Sequence, residues 1–419
     1  MPDRTLAPPF TRTTDFELIR PEKITLGNGL KIFSVSGANQ PVMRIELILQ
    51  AGRWFETAWG AAYFSANLLS KGTQKKSSYD IAQLFDHYGA HFEISPGLDI
   101  VSLSLYTLSK NLAPTLALLY ELLEDAILPE KEVRQLKAIY LQNLKVNHEK
   151  TSFLASKMVR KNLFGEDHPY GKELDEADVE KLSREVLVDH LQSHRHDLTV
   201  IVSGAVSDAE LKLIQDTFKN YPVSAAAPRV ISSAAKKPFR QLQEKEGSVQ
   251  SSLRVAKETI SRNHPDYPAV LFLNHILGGY FGSRLMKNIR EDKGYTYGIH
   301  SSLNTLHHKS YLVMGADVDK ENLEPTFQEI RKELKQLRTE AIPDEELDIA
   351  RNHFIGSLQS EMTTPFAHAD KIKNILLFNL PEQFYQNLIR RVDQLTAEEL
   401  VQTAQQYFSE ESFFEVAVG

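Results

Sequence analysis

The chain has 419 residues, 42% of them hydrophobic and 25% charged, with a net charge of −7 and no cysteine. That length asks for more than one core, in a composition ordinary for a globular protein. The acidic balance argues against nucleic acid as a main partner, and the missing cysteines exclude disulfides, thiolate zinc sites and cysteine nucleophiles.

Residues 1 to about 20 read as an irregular arm. MPDRTLAPPFTRTTDFEL has no apolar leader, which sets a cytoplasmic location as the expectation. Ile24 to Ser36 reads as strand, Asn28-Gly29 turn, strand, and Val42 to Leu49 as a further strand. Gly60 to Leu69 and Tyr79 to His87 read as helices, the second with Ser77 or Ser78 as cap. Ala90 to Tyr106 reads as a hairpin turning at Ser95-Pro96-Gly97. Long helices follow over Leu112 to Asp125, Glu130 to His148 and Ser152 to Leu163. A shorter one, Arg184 to Ser193, leads into the strand Leu198 to Ser203. The longest apolar runs, such as Leu116 to Leu123, fall well short of the ~20 residues of a membrane span, so no membrane is expected.

Val223 to Pro238 is rich in Ala, Ser and Pro and reads as a linker. Beyond it the pattern starts again. Tyr88-Gly89-Ala90-His91 returns as Tyr297-Gly298-Ile299-His300, and Asn111 with Pro114-Thr115 returns as Asn322 with Pro325-Thr326. Pro129 before a long helix returns as Pro343, Leu182-Ser183 as Leu395-Thr396, and a strand ending at Gly204 as one ending at Gly419. Five matches in one order, at separations drifting only from 209 to 215 residues, indicate a duplication. The expectation is an α+β chain of two repeats, each a mostly antiparallel sheet backed by long helices. They divide as 1–222, linker 223–238 and 239–419, and two such concave halves can face each other across a chamber.

The stretch Gly278 to Gly298, GGYFGSRLMKNIREDKGYTYG, carries the most chemistry. A helix over Ser283 to Glu291 is bounded by Gly278-Gly279 and Gly294, with a β-rich segment from Tyr295. Arg290 brings a permanently charged fork of donors and Tyr297 a hydroxyl on a rigid ring. Together they can hold a peptide carbonyl and steady negative charge developing on it. The alternative is an Arg serving its helix end and a Tyr packed in the sheet.

These residues, with Gly60 to Thr73 and LFGEDHPYG at Leu163 to Gly171, resemble the pitrilysin/insulinase family of zinc peptidases, the inverzincins. The resemblance runs from about Ile24 to Gly419 and puts the Arg/Tyr pair of the family's C-terminal repeat on Arg290 and Tyr297. It implies catalytic and substrate-binding roles for both. The family's His-x-x-Glu-His helix, with two zinc ligands one turn apart and the water-activating Glu between them, falls on degenerate positions here. The first His is Tyr63, the base Ala66, the second His Asn67, and the later Glu ligand Asn143 to within a residue or so. Tyr is a poor zinc ligand and Asn a weak neutral one, so no metal and no cofactor are expected in this chain.

Some members of the family, mitochondrial processing peptidase among them, pair a zinc-bearing chain with a zinc-less homologue. The resemblance therefore implies the non-zinc-binding subunit of a heterodimeric zinc metalloendopeptidase. The expected partners are a homologous zinc-bearing subunit that supplies zinc, and short unfolded peptides. On this reading the chain is inactive alone. The alternatives are an inert core-protein-like scaffold or peptide-binding subunit, and a self-sufficient enzyme with an unrecognised site.

Other clusters give weaker signals. His190, His194 and His196 straddle a helix end and read as solvated, and His87 and His91 as local hydrogen-bonding residues. His307-His308 in a hairpin turn should point opposite ways and receives no role. Gly278-Gly279-x-x-Gly282 lacks the Lys-Ser/Thr of a phosphate loop and reads as close packing of helix on sheet.

Overall fold

The computed structural model describes residues 14–37, 40–225, 229–231 and 236–419. The expected arm lies outside the described residues as far as residue 13, as do residues 226–228 and 232–235 of the expected linker.

The first half contains β1 (Glu22–Thr25), β2 (Lys31–Ser36), β3 (Val42–Leu49), α1 (Ala61–Leu68), α2 (Ser78–His87), β4 (His91–Pro96) and β5 (Val101–Leu108). After these come α3 (Leu112–Asp125), α4 (Glu130–His148), α5 (Thr151–Phe164), α6 (Glu176–Lys181), α7 (Arg184–His194), β6 (Leu198–Gly204) and α8 (Asp208–Phe218). The second half contains β7 (Arg240–Gln243), β8 (Gln250–Thr259), α9 (Tyr267–Asn274), β9 (Thr296–Thr305) and β10 (Ser310–Asp319). It continues through α10 (Leu323–Thr339), α11 (Asp344–Ser360), α12 (Pro365–Leu377), α13 (Phe384–Gln394), α14 (Ala397–Tyr407) and β11 (Phe414–Val418).

The two sheets have the orders β1-β2-β6-β3-β5-β4 and β7-β11-β8-β10-β9. With β1 set aside the orders correspond strand for strand. In both, the first strand of the common set pairs parallel with the last strand of its half, and the other pairs are antiparallel. The duplication extends to single hydrogen bonds. Thr115 Oγ1 donates to the Asn111 carbonyl at 2.8 Å, and Thr326 Oγ1 to that of Asn322 at 2.7 Å, both threonines fully buried. Ser183 caps α7 and Thr396 caps α14, while Pro129 and Pro343 precede α4 and α11. Glycine closes β6 because a Cβ on Gly204 would fall 2.4 Å from the Val42 carbonyl oxygen. Gly419 is held the same way, 2.0 Å from Ser251 Oγ.

Successive side chains of β3 alternate between two faces, and both faces are covered. Met43, Ile45, Leu47 and Leu49 of β3 face the helices of their own half. Ile48, with Phe33, Val35 and Ile201, instead faces Ala369 and Ile372 of α12, from the other half. Reciprocally, α5 lays Ala155, Met158, Val159 and Leu163 on Ala256, Phe414, Val416 and Val418 of the second sheet. Each repeat thus lends one helix to the other's sheet. A fully buried aliphatic side chain is worth about 1.5–3 kcal/mol, so this exchange ties the halves together firmly. Polar contacts repeat the exchange: Arg44 Nη2 reaches Asp370 on α12 at 2.9 Å, and Arg254 Nε reaches Ser156 on α5 at 3.2 Å.

The structure corrects several sequence expectations. The β4–β5 hairpin turns at 97–100, closed by Gly97 N donating to Ile100 O at 2.8 Å, because Ser95 and Pro96 still pair with β5. α6 and α8 add to the helices expected from the sequence; each carries a local signal, the capping boxes Asp175 with Asp178 and Ser207 with Glu210. His190 is not solvated: it is 4% exposed, with Nε2 3.0 Å from the Ala51 carbonyl, and burial pushes its imidazole down to about 4. His307 and His308 do not diverge, because residues 306–309 form a turn; His308 stacks on Trp54 across the halves with centroids 3.7 Å apart. In the linker region, Arg229 is held by Trp54, whose Nε1 donates to the Arg229 carbonyl at 3.0 Å.

Candidate functional site

α9 continues into a π-helical turn, His275–Gly279, and the chain then re-enters a helix at Arg284 whose body, Met286–Asp292, is also π-helical. The expected Ser283–Glu291 helix exists, but its hydrogen bonds widen: Lys293 N donates to Asn288 O at 3.1 Å. Gly278 makes the approach to the sheet possible. A Cβ there would lie 2.7 Å from the backbone N and Cβ of Ser301 on β9, so the packing role read from the glycines holds.

The helix is pinned on two sides. Arg284 Nε and Nη2 grip the Glu346 carboxylate of α11 at 2.7 and 2.8 Å. Asn288 Nδ2 donates to Glu329 and Glu333 of α10 at 2.9 and 2.6 Å. Burial pushes the Glu333 carboxyl above its ordinary range. Arg290 differs: among the described residues no carboxylate pairs with it, and its guanidinium sits 4.7 Å above the ring of Phe281, itself 63% exposed. A cation over an aromatic face is steadied without being neutralised.

Tyr297 lies on β9, the edge strand of the second sheet. Ala316 pairs with Ile299 and Val318 with Thr296, so Tyr297 and Gly298 together oppose Asp317 in a β-bulge. The Thr296 hydroxyl holds the bulge, donating to the Asp317 carbonyl at 2.7 Å and accepting from Gly298 N at 3.2 Å. Bulges re-aim a side chain, and Tyr297 is left 93% exposed. Arg290 and Tyr297 therefore sit on consecutive, braced elements joined by the Tyr295 N to Ile289 O hydrogen bond of 3.0 Å. The alternative expected for this pair, in which the Tyr packs in the sheet, does not describe this exposed ring.

The helix at the zinc-motif position is α1. Its N-terminus is held by buried Glu56, which accepts from Gly60 N at 3.0 Å and Ala62 N at 2.9 Å. Tyr63 packs its ring on Tyr140 of α4 with centroids 5.3 Å apart, and burial pushes the Tyr140 phenol up to about 12. Asn67 Nδ2 donates to the Tyr63 carbonyl at 2.8 Å, so its amide serves its own helix, and Ala66 is buried. Asn143 is exposed on α4, one turn beyond the Tyr140 that meets Tyr63. These four positions do not make a zinc site: two aromatic rings fill the crossing, and the motif helix offers no imidazole or carboxylate. Among the described residues no group of three or more His, Asp or Glu could hold a metal.

Sequence reasoning missed Phe281, Thr296 and Tyr140. An aromatic between glycines in GGYFG was a signal for the first; bulge geometry and the helix crossing leave no local trace.

No described helix is long and apolar enough to cross a membrane. Residues 31–176 match the model of the insulinase family, peptidase family M16, and residues 181–354 that of the peptidase M16 inactive domain. An uncharacterized zinc protease, YmxG, of Bacillus subtilis is 22% identical over 93% of this chain and 96% of its own. A Helicobacter pylori protein named non-peptidase homolog YmxG is 20% identical over 81% of this chain and 80% of its own. A crystal structure of a peptidase M16 inactive domain from Pseudomonas fluorescens superposes with a TM-score of 0.89 at 24% identity, covering 96% of this chain and 98% of that one. The α+β fold of two repeats about a chamber, expected from the duplication, is the fold of these relatives. With the two models together spanning most of its length, the chain belongs to the insulinase family of peptidases, family M16.

Proposed function

We propose that this chain is the non-zinc-binding subunit of a two-chain zinc metalloendopeptidase, and that Arg290 and Tyr297 are its contribution to the shared site. One observation carries the reading: an Arg without a carboxylate partner and a nearly fully exposed Tyr stand on a heavily braced frame. A surface of purely structural purpose has no use for a bulge that turns a tyrosine outward. In this reading the Tyr297 hydroxyl donates to the oxyanion as the peptide carbonyl becomes tetrahedral. Arg290, undiminished by any ion pair, adds positive charge and holds the substrate backbone. The attacking water and its base come from the zinc-bearing homologous partner, since Tyr63, Ala66 and Asn67 offer neither. The substrates are short unfolded peptides that fit between the two chains. The repeats are taken as 1–222 and 239–419 with 223–238 between them; in support, α8 packs in the first core and the second sheet begins at Arg240.

The inert-scaffold reading has its own support in the name of the Helicobacter relative. Cleavage of a fluorogenic peptide separates the two. The pure chain should be inactive, and mixing it with a homologue bearing an intact His-x-x-Glu-His helix should give activity. Arg290→Ala or Tyr297→Phe should then lower kcat about 10²–10³-fold, as loss of an oxyanion donor does. Unchanged turnover by both variants would leave the scaffold reading standing.

A further inference from the structure

In the second repeat, the helix pair α9–α11 occupies the place that α1–α4 has in the first. There the two helices bring together histidines 78 positions apart in sequence. His275 follows α9 at the start of the π-helical turn, and His353 lies in the middle of α11. His275 Nε2 and His353 Nδ1 are 3.2 Å apart, with ring centroids at 5.1 Å. Tyr280 stacks on His275 at 4.6 Å and lies 4.6 Å from the His353 ring, and Phe354 meets His275 edge-on at 5.3 Å. Ser357 Oγ is 3.4 Å from His353 Nδ1. A Cβ on Gly279 would press to 3.1 Å of His275 Nδ1, so glycine keeps that side of the ring clear.

Two imidazole nitrogens converge for one of two reasons: they share a proton, or they aim lone pairs at one cation. Nitrogens bound to a tetrahedral ion at ~2.0–2.1 Å stand roughly 3.3 Å apart, close to the separation here. We propose that His275 and His353 form a two-imidazole binding site for a borderline transition-metal dication, Zn²⁺ or Cu²⁺. Imidazole suits both ions, and Cu²⁺ binds the tighter of the two. Among the described residues no further His, Asp or Glu joins the pair to make a group of three. Water and the Ser357 hydroxyl therefore complete the coordination, and the exposed side of His353 is the entry path. A bound ion bridges α9 to α11, the helix whose Glu346 anchors Arg284, and so braces the frame under Arg290. This site is separate from the degenerate zinc motif of α1 and does not depend on the proposed peptidase role.

The test is titration of the untagged full-length chain with Zn²⁺ by calorimetry and with Cu²⁺ by electron paramagnetic resonance. One equivalent should bind, with hyperfine structure from two nitrogens. His275→Gln and His353→Gln should each weaken binding by about tenfold or more, as loss of one of two imidazoles demands. The double variant His190→Gln/His194→Gln, which removes another close histidine pair, should bind as the parent does. Exposed His353 can change without disturbing the core, so its variant decides the matter even if His275→Gln unfolds. Absence of binding at millimolar ion, or affinity indifferent to His353→Gln, would overturn the site.

Discussion

Replacing Gly278 with Ala tests how tightly the helix of Arg290 is seated against the strand of Tyr297. Gly278 lies at φ −160° and ψ 17°, at the break between two π-helical segments. The new methyl would stand 2.7 Å from Ser301 N and Cβ and 3.0 Å from Leu285 Cδ1, both residues buried. Ordinary contact is near 3.5–4.0 Å, so β9 must retreat by roughly 1 Å or the helix must lift. Overpacking of this kind costs about 1–3 kcal/mol. Gly298→Ala is the internal control: nothing lies within 4 Å of its Cβ, so stability should change by less than about 0.5 kcal/mol. Urea denaturation of both variants, compared at unchanged m, measures the difference. A displacement of about 1 Å should also cost the reconstituted peptidase on the order of 10²-fold in kcat/KM. Equal stability of the two variants would refute the packing argument. A destabilised Gly278→Ala with full activity would refute the claim that helix and strand must keep register for catalysis.

Tyr297→Phe should leave stability within about 0.5 kcal/mol of the parent, and Arg290→Ala, which gives up its contact with exposed Phe281, within about 1 kcal/mol; a larger loss would mark them as structural. Glu46 is 1% exposed and accepts from Ser102 Oγ at 2.6 Å and from Lys373 Nζ of α12 at 2.8 Å. Glu46→Ala removes these bonds and leaves Asp370 as the counter-charge for both Arg44 and Lys373, and should cost about 1.5–3 kcal/mol by urea unfolding. His190 is held near 4 when folded against an ordinary 6.5, so the unfolded chain takes up its proton first as pH falls. Stability should therefore drop between pH 6.5 and 4 by up to about 3 kcal/mol from this group, and His190→Gln should flatten that part of the profile.

Much of the fold was legible because it is written locally. Helices from α3 to α5 could be placed almost to the residue from apolar period and breakers, and α2 from its Ser77 cap. Asn111 with Thr115 and Asn322 with Thr326 showed the duplication because one buried hydroxyl must bond one carbonyl in each copy. The degenerate motif could be read because each of Tyr63, Ala66 and Asn67 is judged by its own chemistry. The turn after β4 was misplaced because Ser95 and Pro96 are turn residues by type, and only pairing with β5 makes them strand. His190 was misread because burial belongs to the packed neighbours, not to the residue.

By itself, then, the sequence determined the repeats, their helices and strands, the lack of imidazole and carboxylate on α1 and the presence of Arg290 and Tyr297. Those depend on residues a few positions apart, or on a pattern copied whole. Tertiary structure alone decided that α5 and α12 change places between sheets, since an apolar helix face does not say which sheet it will cover. It also decided that a bulge turns Tyr297 outward, that Phe281 rather than a carboxylate meets Arg290, and that His275 finds His353. Each of these rests on contacts between segments whose separation along the chain carries no trace of their distance in space.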